Sequence, residues 1–414
     1  MEVVYRCCAG LDVHRDTVAV CVVWVDDLGH WHKEIRTFGT MTRDLLALSS
    51  WLASLQVTHV AMESTGVFWK PIFNILEGGF EVLLVNAAHI KQVPGRKTDV
   101  KDCEWIADLL RHGLLKASFI PDRPQRDLRD LTRHRAQVTA EHTRVGNRVR
   151  KVLEDTNIKL GSVATDVLGV SGRQMIQALL AGERDVERMA DLARGKLRAK
   201  KEALVGALEG HVTEHHRFML QMLWEHLTYL EQVIASLDAR IEELTRPFEE
   251  AIRRLDGIPG VDLVVARALV TEIGLDMTRF PTADHLASWA GVSCGNHESA
   301  GKRKSGRTSK GNRWLKRTLS QAAWAASHTK DTYLSARFRQ IAKRRGKKRA
   351  IIAVAHSILI IAYHMLAEGT EYKDLGGDYF DRLNPERQKR YFLRRLQQLG
   401  YQVQLSPATA EAAA

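Results

Sequence analysis

The stretch VVYRCCAGLDVHRDTVAVCVVWVDDLGHWHKEIRTF, residues 3–38, decides the fold of the first part of the chain. It contains three short runs rich in Val, Cys and Trp, which are separated by His14-Arg15-Asp16 and by Asp26-Asp27-Leu28-Gly29. Short runs of β-branched and aromatic residues bounded by turn residues are typical of strands. We therefore predict an antiparallel meander at the start of the chain.

After the meander, apolar periodicity predicts that helices and strands alternate. The predicted elements are a helix at about 42–55, a strand at 59–63, a helix at about 68–76, a strand at 80–86 and a helix at 98–112. Three strands followed by alternating helices and strands make a mixed α/β sheet. This sheet defines a first domain of residues 1–124.

The rest of the chain is predicted to be helical, so the fold class is α/β plus all-α. Residues 125–250 show little strand signal and contain an apolar series that alternates steps of three and four, as in a coiled-coil seam. The series is Leu220, Leu223, Leu227, Leu230, Ile234, Leu237, Ile241 and Leu244. Such a seam serves either self-association or an intramolecular helical hairpin. Residues 251–370 form a mainly helical third domain, and residues 371–414 form a basic helical tail with a disordered end.

The composition is that of an ordinary globular protein. Of 414 residues, 45% are hydrophobic and 27% are charged, which excludes a disordered chain, a collagen-like repeat and a disulfide miniprotein. Five cysteines without C-x-x-C spacing, and a start without a secretory signal, indicate a reduced, cytoplasmic protein. The apolar stretch 351–367 is short for a membrane span and carries His356 and His364, so we predict a buried core helix and no membrane partner.

The positive charge is concentrated in one segment. Residues 297–350 contain 17 Lys and Arg residues and two acidic residues, a net charge of +15, whereas the whole chain carries +12. The remainder therefore carries −3. A near-neutral body with one basic segment favours a polyanionic partner, because binding of phosphates releases counterions. The alternative is a solvated basic surface that only aids solubility.

Four acidic residues can converge in the first domain. Asp12 ends the first strand and Glu63 ends the fourth. Where such strands are neighbours, their spacing of about 4.8 Å brings the two carboxylates within reach of one metal site. Asp99 and Asp102 are three residues apart, which on a helix places both on one face. Such convergence suits a two-metal site, in which carboxylates hold Mg²⁺ ions at a phosphodiester. Each acid alone also fits a turn, a solvated strand end or a helix N-terminus.

These motifs resemble those of transposases of the insertion sequence 110 family, in the family's order over about residues 8 to 370. In the first domain the matching stretches are Gly10-Leu11-Asp12-Val13-His14, Met62-Glu63-Ser64-Thr65-Gly66 and Lys97-Thr98-Asp99-Val100-Lys101-Asp102. Later matches are Ile258-Pro259-Gly260-Val261, Arg279-Phe280-Pro281, Ala290-Gly291-Val292, Glu298-Ser299-Ala300-Gly301, Ser309-Lys310-Gly311-Asn312-Arg313 and Asn384-Pro385-Glu386-Arg387.

The resemblance implies a ribonuclease-H-like (RuvC-like) DEDD domain followed by a transposase domain with a serine nucleophile. The implied Mg²⁺ ligands are Asp12, Glu63, Asp99 and Asp102. The nucleophile falls on Ser299, and Ser305 is the alternative because the motif reads Ser-Ala-Gly rather than the commoner Ser-Gly. Family members are recombinases guided by a bridge RNA that pairs with donor and target DNA. They work as homo-oligomers, dimers that assemble into a synaptic tetramer.

Nucleic-acid contacts are predicted around the serine and at a glycine turn. Cations that follow Ser299 can hold a scissile phosphate and stabilise its developing charge. Gly257-Ile258-Pro259-Gly260 resembles a helix-hairpin-helix turn, in which backbone N–H groups approach a phosphate, although an ordinary helix–helix turn has the same pattern. The predicted nucleic-acid-binding residues are Gly257, Gly260, Lys302, Arg303, Lys304, Arg307, Lys310 and Arg313.

The predicted function is a Mg²⁺-dependent transposase or recombinase of a bacterial insertion sequence. Ser299 would attack a phosphodiester and form a covalent phosphoserine link. Because Glu298 is the one acid near Ser299, metal ligands would have to come from the first domain, which makes the active site composite. Two alternatives stay open: a metal-dependent nuclease or junction resolvase that uses water, and a non-enzymatic nucleic-acid-binding scaffold.

Overall fold

A computed structural model describes residues 3–26, 28–64, 66–90, 102–295, 297–299, 301–383 and 385–404. For residues 88, 89, 297–299, 303, 304 and 387 it describes the backbone only. The chain divides into two compact units, Met1–Pro121 and Asp122–Ala414. The first is an α/β unit and the second is a helical unit.

The α/β unit begins with the predicted meander and continues with alternating helices and strands. Its elements are β1 (Cys7–Val13), β2 (Thr17–Val25), β3 (Trp31–Gly39), α1 (Thr42–Ser54), β4 (His59–Glu63), α2 (Trp69–Leu76), β5 (Glu81–Val85), α3 (Ala87–Ile90) and α4 (Asp102–Arg111). The strand order in the sheet is β3-β2-β1-β4-β5. β1, β2 and β3 pair antiparallel, whereas β1–β4 and β4–β5 are parallel. The predicted mixed α/β sheet is therefore confirmed.

Helices cover both faces of this sheet. Leu11 and Met62 belong to the core that α1 and α2 form on one face. Cys8 and Ala61 belong to the core that α4 forms on the other face. Because side chains alternate along a strand, each strand of the centre contributes to both cores.

Gly10 allows α4 to lie directly on β1. A Cβ atom at Gly10 would lie 2.3 Å from the backbone nitrogen of Ala107 and 2.3 Å from the carbonyl oxygen of Cys103. Both neighbours are helix backbone, which cannot move aside as the end of a side chain can. Gly10 thus sets the distance between α4 and the strand that carries Asp12.

We expect Gly10→Ala to destabilise the α/β unit. The added methyl group must push α4 off the sheet, and such overpacking costs about 1–3 kcal/mol of the free energy of unfolding. Gly78→Ala is the matched control, because a Cβ atom there meets nothing within 4 Å. Urea unfolding of the full chain measures both variants. An unchanged midpoint for Gly10→Ala would contradict the tight contact.

The helical unit contains two long helices of 33 and 32 residues, several shorter helices and a small hairpin. Its elements are α5 (Arg123–Asp155), α6 (Leu160–Val163), α7 (Val170–Leu180), α8 (Val186–Asp191), α9 (Lys201–Leu208), α10 (Glu214–Thr245), α11 (Glu249–Asp256), α12 (Leu263–Ile273), α13 (Ala283–Ala290), β6 (His297–Ser299), β7 (Lys302–Ser305), α14 (Arg313–His328), α15 (Tyr333–Arg345), α16 (Lys347–Glu368), α17 (Tyr379–Arg382) and α18 (Pro385–Gln398). Short 3₁₀ helices lie at Gly195–Lys200, Arg246–Phe248 and Met277–Arg279.

The predicted apolar seam on α10 packs within the chain. Leu220, Leu227 and Leu230 are buried in one core with Val145 and Val149 of α5. Polar contacts join the two helices in antiparallel order: an ion pair of Arg135 with Asp238, and hydrogen bonds of His142 with Glu231 and of His216 with Asp155. The apolar series of α10 therefore forms an intramolecular helical hairpin with α5. Self-association through this series stays a prediction.

The apolar stretch 351–367 lies in α16, which is long and apolar enough to cross a membrane and is the one such helix among the described residues. In its most apolar 18-residue window, 44% of the residues are buried inside the molecule. Val354, Ile358 and Ala362 are fully buried, and α11, α13, α14 and α15 pack against this helix. This packing is that of a core helix, as the sequence predicted.

Candidate active site

Two of the predicted ligands lie side by side at the carboxyl ends of neighbouring strands. β1 and β4 are parallel, and Leu11 is paired with Met62. The next positions are Asp12 and Glu63, which therefore share the sheet face opposite to these two apolar side chains. Adjacent strands lie about 4.8 Å apart. The side chains of Asp12 and Glu63 therefore extend from neighbouring backbone positions, on the face of the sheet that α4 covers.

The third predicted ligand comes to the same edge because α4 runs antiparallel to β1. The N–H group of Val4 donates to the carbonyl oxygen of Arg111, the last residue of α4 (2.9 Å). Gly10, further along the strand, contacts Cys103 near the start of α4. Asp102, the first residue of α4, therefore lies at the end of the sheet where the two strand-end carboxylates are.

Asp12, Glu63 and Asp102 thus approach one edge of the sheet, whereas Asp99 lies outside the described residues. In the part of the chain that the structure describes, no group of three or more His, Cys, Asp or Glu residues could hold a metal ion. The fourfold ligand set stays a prediction.

The carboxylates nevertheless fit a divalent cation by their chemistry. The Asp12 side chain is 25% exposed, and its ion-pair partner is His14, with Nε2 at 3.2 Å from Oδ2. Glu63 is half-buried and makes no ion pair or side-chain hydrogen bond with any described residue. Half-buried carboxylates that no described Lys or Arg neutralises offer the hard oxygen donors that Mg²⁺ takes.

The predicted nucleophile lies at the tip of a β-hairpin. β6 and β7 pair antiparallel, with Ser299 opposite Lys302. The backbone between them turns at Gly301, where φ is +73° and a Cβ atom would meet nothing within 4 Å. A bridge between Cys294 and Thr308 extends the pairing towards the rest of the unit. We call residues 294–308 the serine arm; the Ser299 side chain lies outside the described atoms.

The alternative serine lies lower on the same arm. Ser305 is opposite His297, and its hydroxyl oxygen accepts the backbone N–H of Arg307 (3.1 Å). That hydroxyl group therefore already has a local partner. The predicted cations Lys302, Arg307, Lys310 and Arg313 are exposed, whereas the side chains of Arg303 and Lys304 lie outside the description.

The predicted helix-hairpin-helix turn packs against α14. Gly260 has a φ of +84°, and a Cβ atom there would lie 2.4 Å from the Ala322 carbonyl oxygen and 2.5 Å from the Ala326 nitrogen. The small residue thus permits contact between two segments of this chain. The Asp262 carboxylate accepts a backbone N–H in the first turn of α12 (2.8 Å). Phosphate contact at Gly257 and Gly260 stays a prediction.

Sequence reasoning singled out Arg313 but missed the rest of an exposed face of α14, the helix that begins just after the serine arm. Its residues are Arg313, Arg317, Gln321, Trp324 and His328. At about 100° per residue they lie within about 80° of one another around the helix. Trp324 is 53% exposed. Cations interleaved with an aromatic ring are typical of surfaces that bind nucleic-acid strands. The sequence signal for this face was the spacing of these residues, which follow one another at steps of four or three positions.

Comparisons with known proteins agree with this architecture. A family model named for DEDD transposases of the IS110 family, with the description "Transposase", matches residues 9–158. A second model, "Transposase IS116/IS110/IS902 family", matches residues 252–339. The first match contains Asp12, Glu63, Asp99 and Asp102, and the second contains the glycine turn, the serine arm and α14.

Two curated relatives are proteins of insertion elements. The chain is 28% identical over 307 residues to the IS110 uncharacterized 43.6 kDa protein of Streptomyces coelicolor, covering 68% of this chain and 73% of the relative. It is 27% identical over 242 residues to the IS116 uncharacterized 44.8 kDa protein of Streptomyces clavuligerus, covering 51% of this chain and 59% of the relative.

An α/β unit with acids at its strand ends, joined to a cation-rich helical unit and matched by both models, defines the class as a transposase, an enzyme that acts on DNA. The DEDD model also suggests the use of a divalent metal ion. The chain belongs to the IS110 family of transposases.

Proposed function

We propose that this transposase cleaves and exchanges DNA strands through a covalent link to Ser299, with Mg²⁺ bound by Asp12, Glu63, Asp99 and Asp102. The observation that carries the proposal is the exposed tip of the serine arm, where Ser299 is opposite Lys302. A hydroxyl group delivered on an arm can reach a phosphate outside its own unit. The strand order β3-β2-β1-β4-β5 supports the assignment of the α/β unit as ribonuclease-H-like.

The proposed reaction conserves the energy of the phosphodiester bond. The Ser299 oxygen bonds to phosphorus while the bond from phosphorus to one bridging deoxyribose oxygen breaks. The serine proton leaves to solvent or a base, and the departing oxygen is protonated to a hydroxyl group. Attack of a strand hydroxyl on the phosphoserine reverses these bonds and rejoins DNA, so no ATP is required.

The other residues bind and orient the scissile phosphate. Lys302 and Arg307 are exposed on the arm and attract the phosphate charge. A divalent cation held by the carboxylates would stabilise charge on the phosphodiester oxygens. Carboxylates and hydroxyl lie on different units, so we propose a composite site that forms when DNA is bound.

We propose that a bridge RNA selects the DNA sites and that dimers assemble into a synaptic tetramer. Base pairing between this RNA and the DNA would determine which sequences are selected, so the protein itself would mainly contact the phosphate backbones. The segment with a net charge of +15 supports this proposal because such contacts release counterions. The exposed face of α14 adds a surface for an unpaired strand.

The proposal is tested by isolating the nucleic acid that co-purifies with the full chain and returning it with labelled donor and target DNA. We expect an RNA encoded in the element, Mg²⁺-dependent cleavage, and a labelled protein band that survives denaturation. Ribonuclease treatment before the assay should prevent cleavage. Cleavage that needs no RNA would overturn the guided part.

A hydrolytic nuclease or junction resolvase is the second candidate, and the DEDD match favours it because such carboxylates can activate water. It predicts cut DNA without a covalent protein–DNA band. The same gel therefore decides between the two candidates.

A further inference from the structure

A buried carboxylate connects three helices below the serine arm. Glu272, near the end of α12, is 3% exposed. The Arg133 guanidinium on α5 donates to both of its oxygens, with Nε at 2.7 Å from Oε1 and Nη2 at 2.8 Å from Oε2. The side-chain amide of Asn312 donates to Oε2 as well (2.7 Å). Glu272 is therefore bidentately paired and bound by a third donor.

A second arginine of α5 strengthens this connection. The Arg129 Nε lies 3.6 Å from the Glu272 Oε2, and its guanidinium also donates to the Glu272 carbonyl oxygen. Burial lowers the pKa of Arg129 to about 10, and the Glu272 carboxylate opposes that shift. Arg129 thus stays charged at neutral pH, and α12 is held to α5 through both its side chain and its backbone.

Asn312 carries the connection to the serine arm. Its side-chain oxygen accepts the N–H groups of Trp314 (3.0 Å) and Leu315 (3.2 Å), so it caps α14. Its side-chain nitrogen is the group that donates to Glu272. The oxygen of the Asn312 side-chain amide thus caps the start of α14, while its nitrogen binds the buried carboxylate of Glu272.

The two chain segments that lead into the arm meet at the same place. A Cβ atom at Gly311 would lie 2.3 Å from the Gly291 nitrogen, so these backbones touch. The N–H group of Asn312 donates to the Trp289 carbonyl oxygen (3.0 Å). The base of the arm is thus fastened across its two sides, with Asn312 at the centre.

A lysine of α14 holds the next residues of the arm. The Lys316 ammonium group donates to the Thr308 hydroxyl oxygen (2.6 Å) and to the Ser309 carbonyl oxygen (3.4 Å). Thr308 is the residue that bridges Cys294. The direction of the arm therefore follows the direction of α14 at its start.

We propose that Glu272 and Asn312 are positioning residues that set the direction in which the serine arm presents Ser299. This inference rests on the proposed nucleophilic role of Ser299. β7 rises about 10 Å from Ser305 to Lys302, which is opposite Ser299, so a tilt of about 6° at its base displaces the tip by about 1 Å. A misplacement of about 1 Å can cost about 100-fold in rate.

The test separates positioning from stability. Asn312→Ser keeps a hydroxyl cap for α14, but the side chain is too short to reach Glu272. We expect cleavage to slow by roughly 10- to 100-fold, with unchanged affinity for DNA and RNA. Thr332→Ala is the matched control, because Thr332 caps α15 without contact to the network. It should lower the unfolding midpoint and leave the cleavage rate unchanged.

A repulsive substitution at the same contact gives a second test. Asn312→Asp retains the cap and places a second carboxylate against the Glu272 Oε2, so we expect it to cleave more slowly than Asn312→Ser. A normal cleavage rate in both Asn312→Ser and Asn312→Asp would overturn the inference.

Ser299→Ala is assayed in parallel. If that variant still cleaves DNA, the proposed function has failed and the arm has no nucleophile to position. If Ser299→Ala is inactive and Asn312→Ser cleaves at the normal rate, only the positioning inference has failed.

Discussion

Ser299→Ala is expected to abolish strand cleavage and to leave DNA and RNA binding intact. The substitution removes the oxygen that bonds to phosphorus, and loss of a covalent nucleophile costs on the order of 10⁴-fold or more. Gly301 and Lys302, at the turn beside Ser299, are exposed, so we expect the fold to tolerate the smaller side chain. Single-turnover cleavage and gel-shift affinity, measured on the same preparation, give the two readouts.

Ser305→Ala is the matched control on the same arm. Its hydroxyl group accepts a backbone N–H locally, so we expect at most a small change in cleavage. If Ser305→Ala is inactive and Ser299→Ala is active, the nucleophile is Ser305. Full activity in both variants would exclude a serine of this arm and favour water as the nucleophile.

The sheet could be predicted because its signals are local. β1, β2 and β3 follow one another in the chain, and their residues favour strands wherever they are placed. Asp12 and Glu63 could be recognised as strand ends, whereas the structure was needed to show that their strands, β1 and β4, are neighbours. What the sequence lacked was the direction of α4, which Gly10 permits through contact with Cys103.

Contacts distant in the chain could not be predicted. The apolar series on α10 showed that one face is buried, but any apolar surface could have covered it, and α5 does so. Gly260 has the sequence pattern of a phosphate-binding turn, yet its missing Cβ is explained by contact with α14. Glu272 is 139 residues from Arg133 and 40 from Asn312, so no local pattern links them.

The metal assignment is tested most directly at Glu63. Glu63→Gln keeps the shape of the side chain and removes one negative charge from the group that Glu63 forms with Asp12 and Asp102. We expect Mg²⁺-dependent cleavage to fall by about 10³-fold or more, since metal stabilisation of the transition state is worth several kcal/mol. Glu81→Gln is the matched control: Glu81 begins β5 at the opposite end of the sheet, is 71% exposed and pairs with His59.

Unfolding temperatures give a readout that does not depend on cleavage. Carboxylates gathered without a cation repel one another, so in a chelator Glu63→Gln should be at least as stable as the unmodified protein. Added Mg²⁺ binds the folded state and should raise the unfolding temperature of the unmodified protein and of Glu81→Gln, but raise that of Glu63→Gln much less. If all three proteins respond equally to Mg²⁺, the strand-end carboxylates are not its ligands. A scaffold whose acids are structural would show no response in any of them.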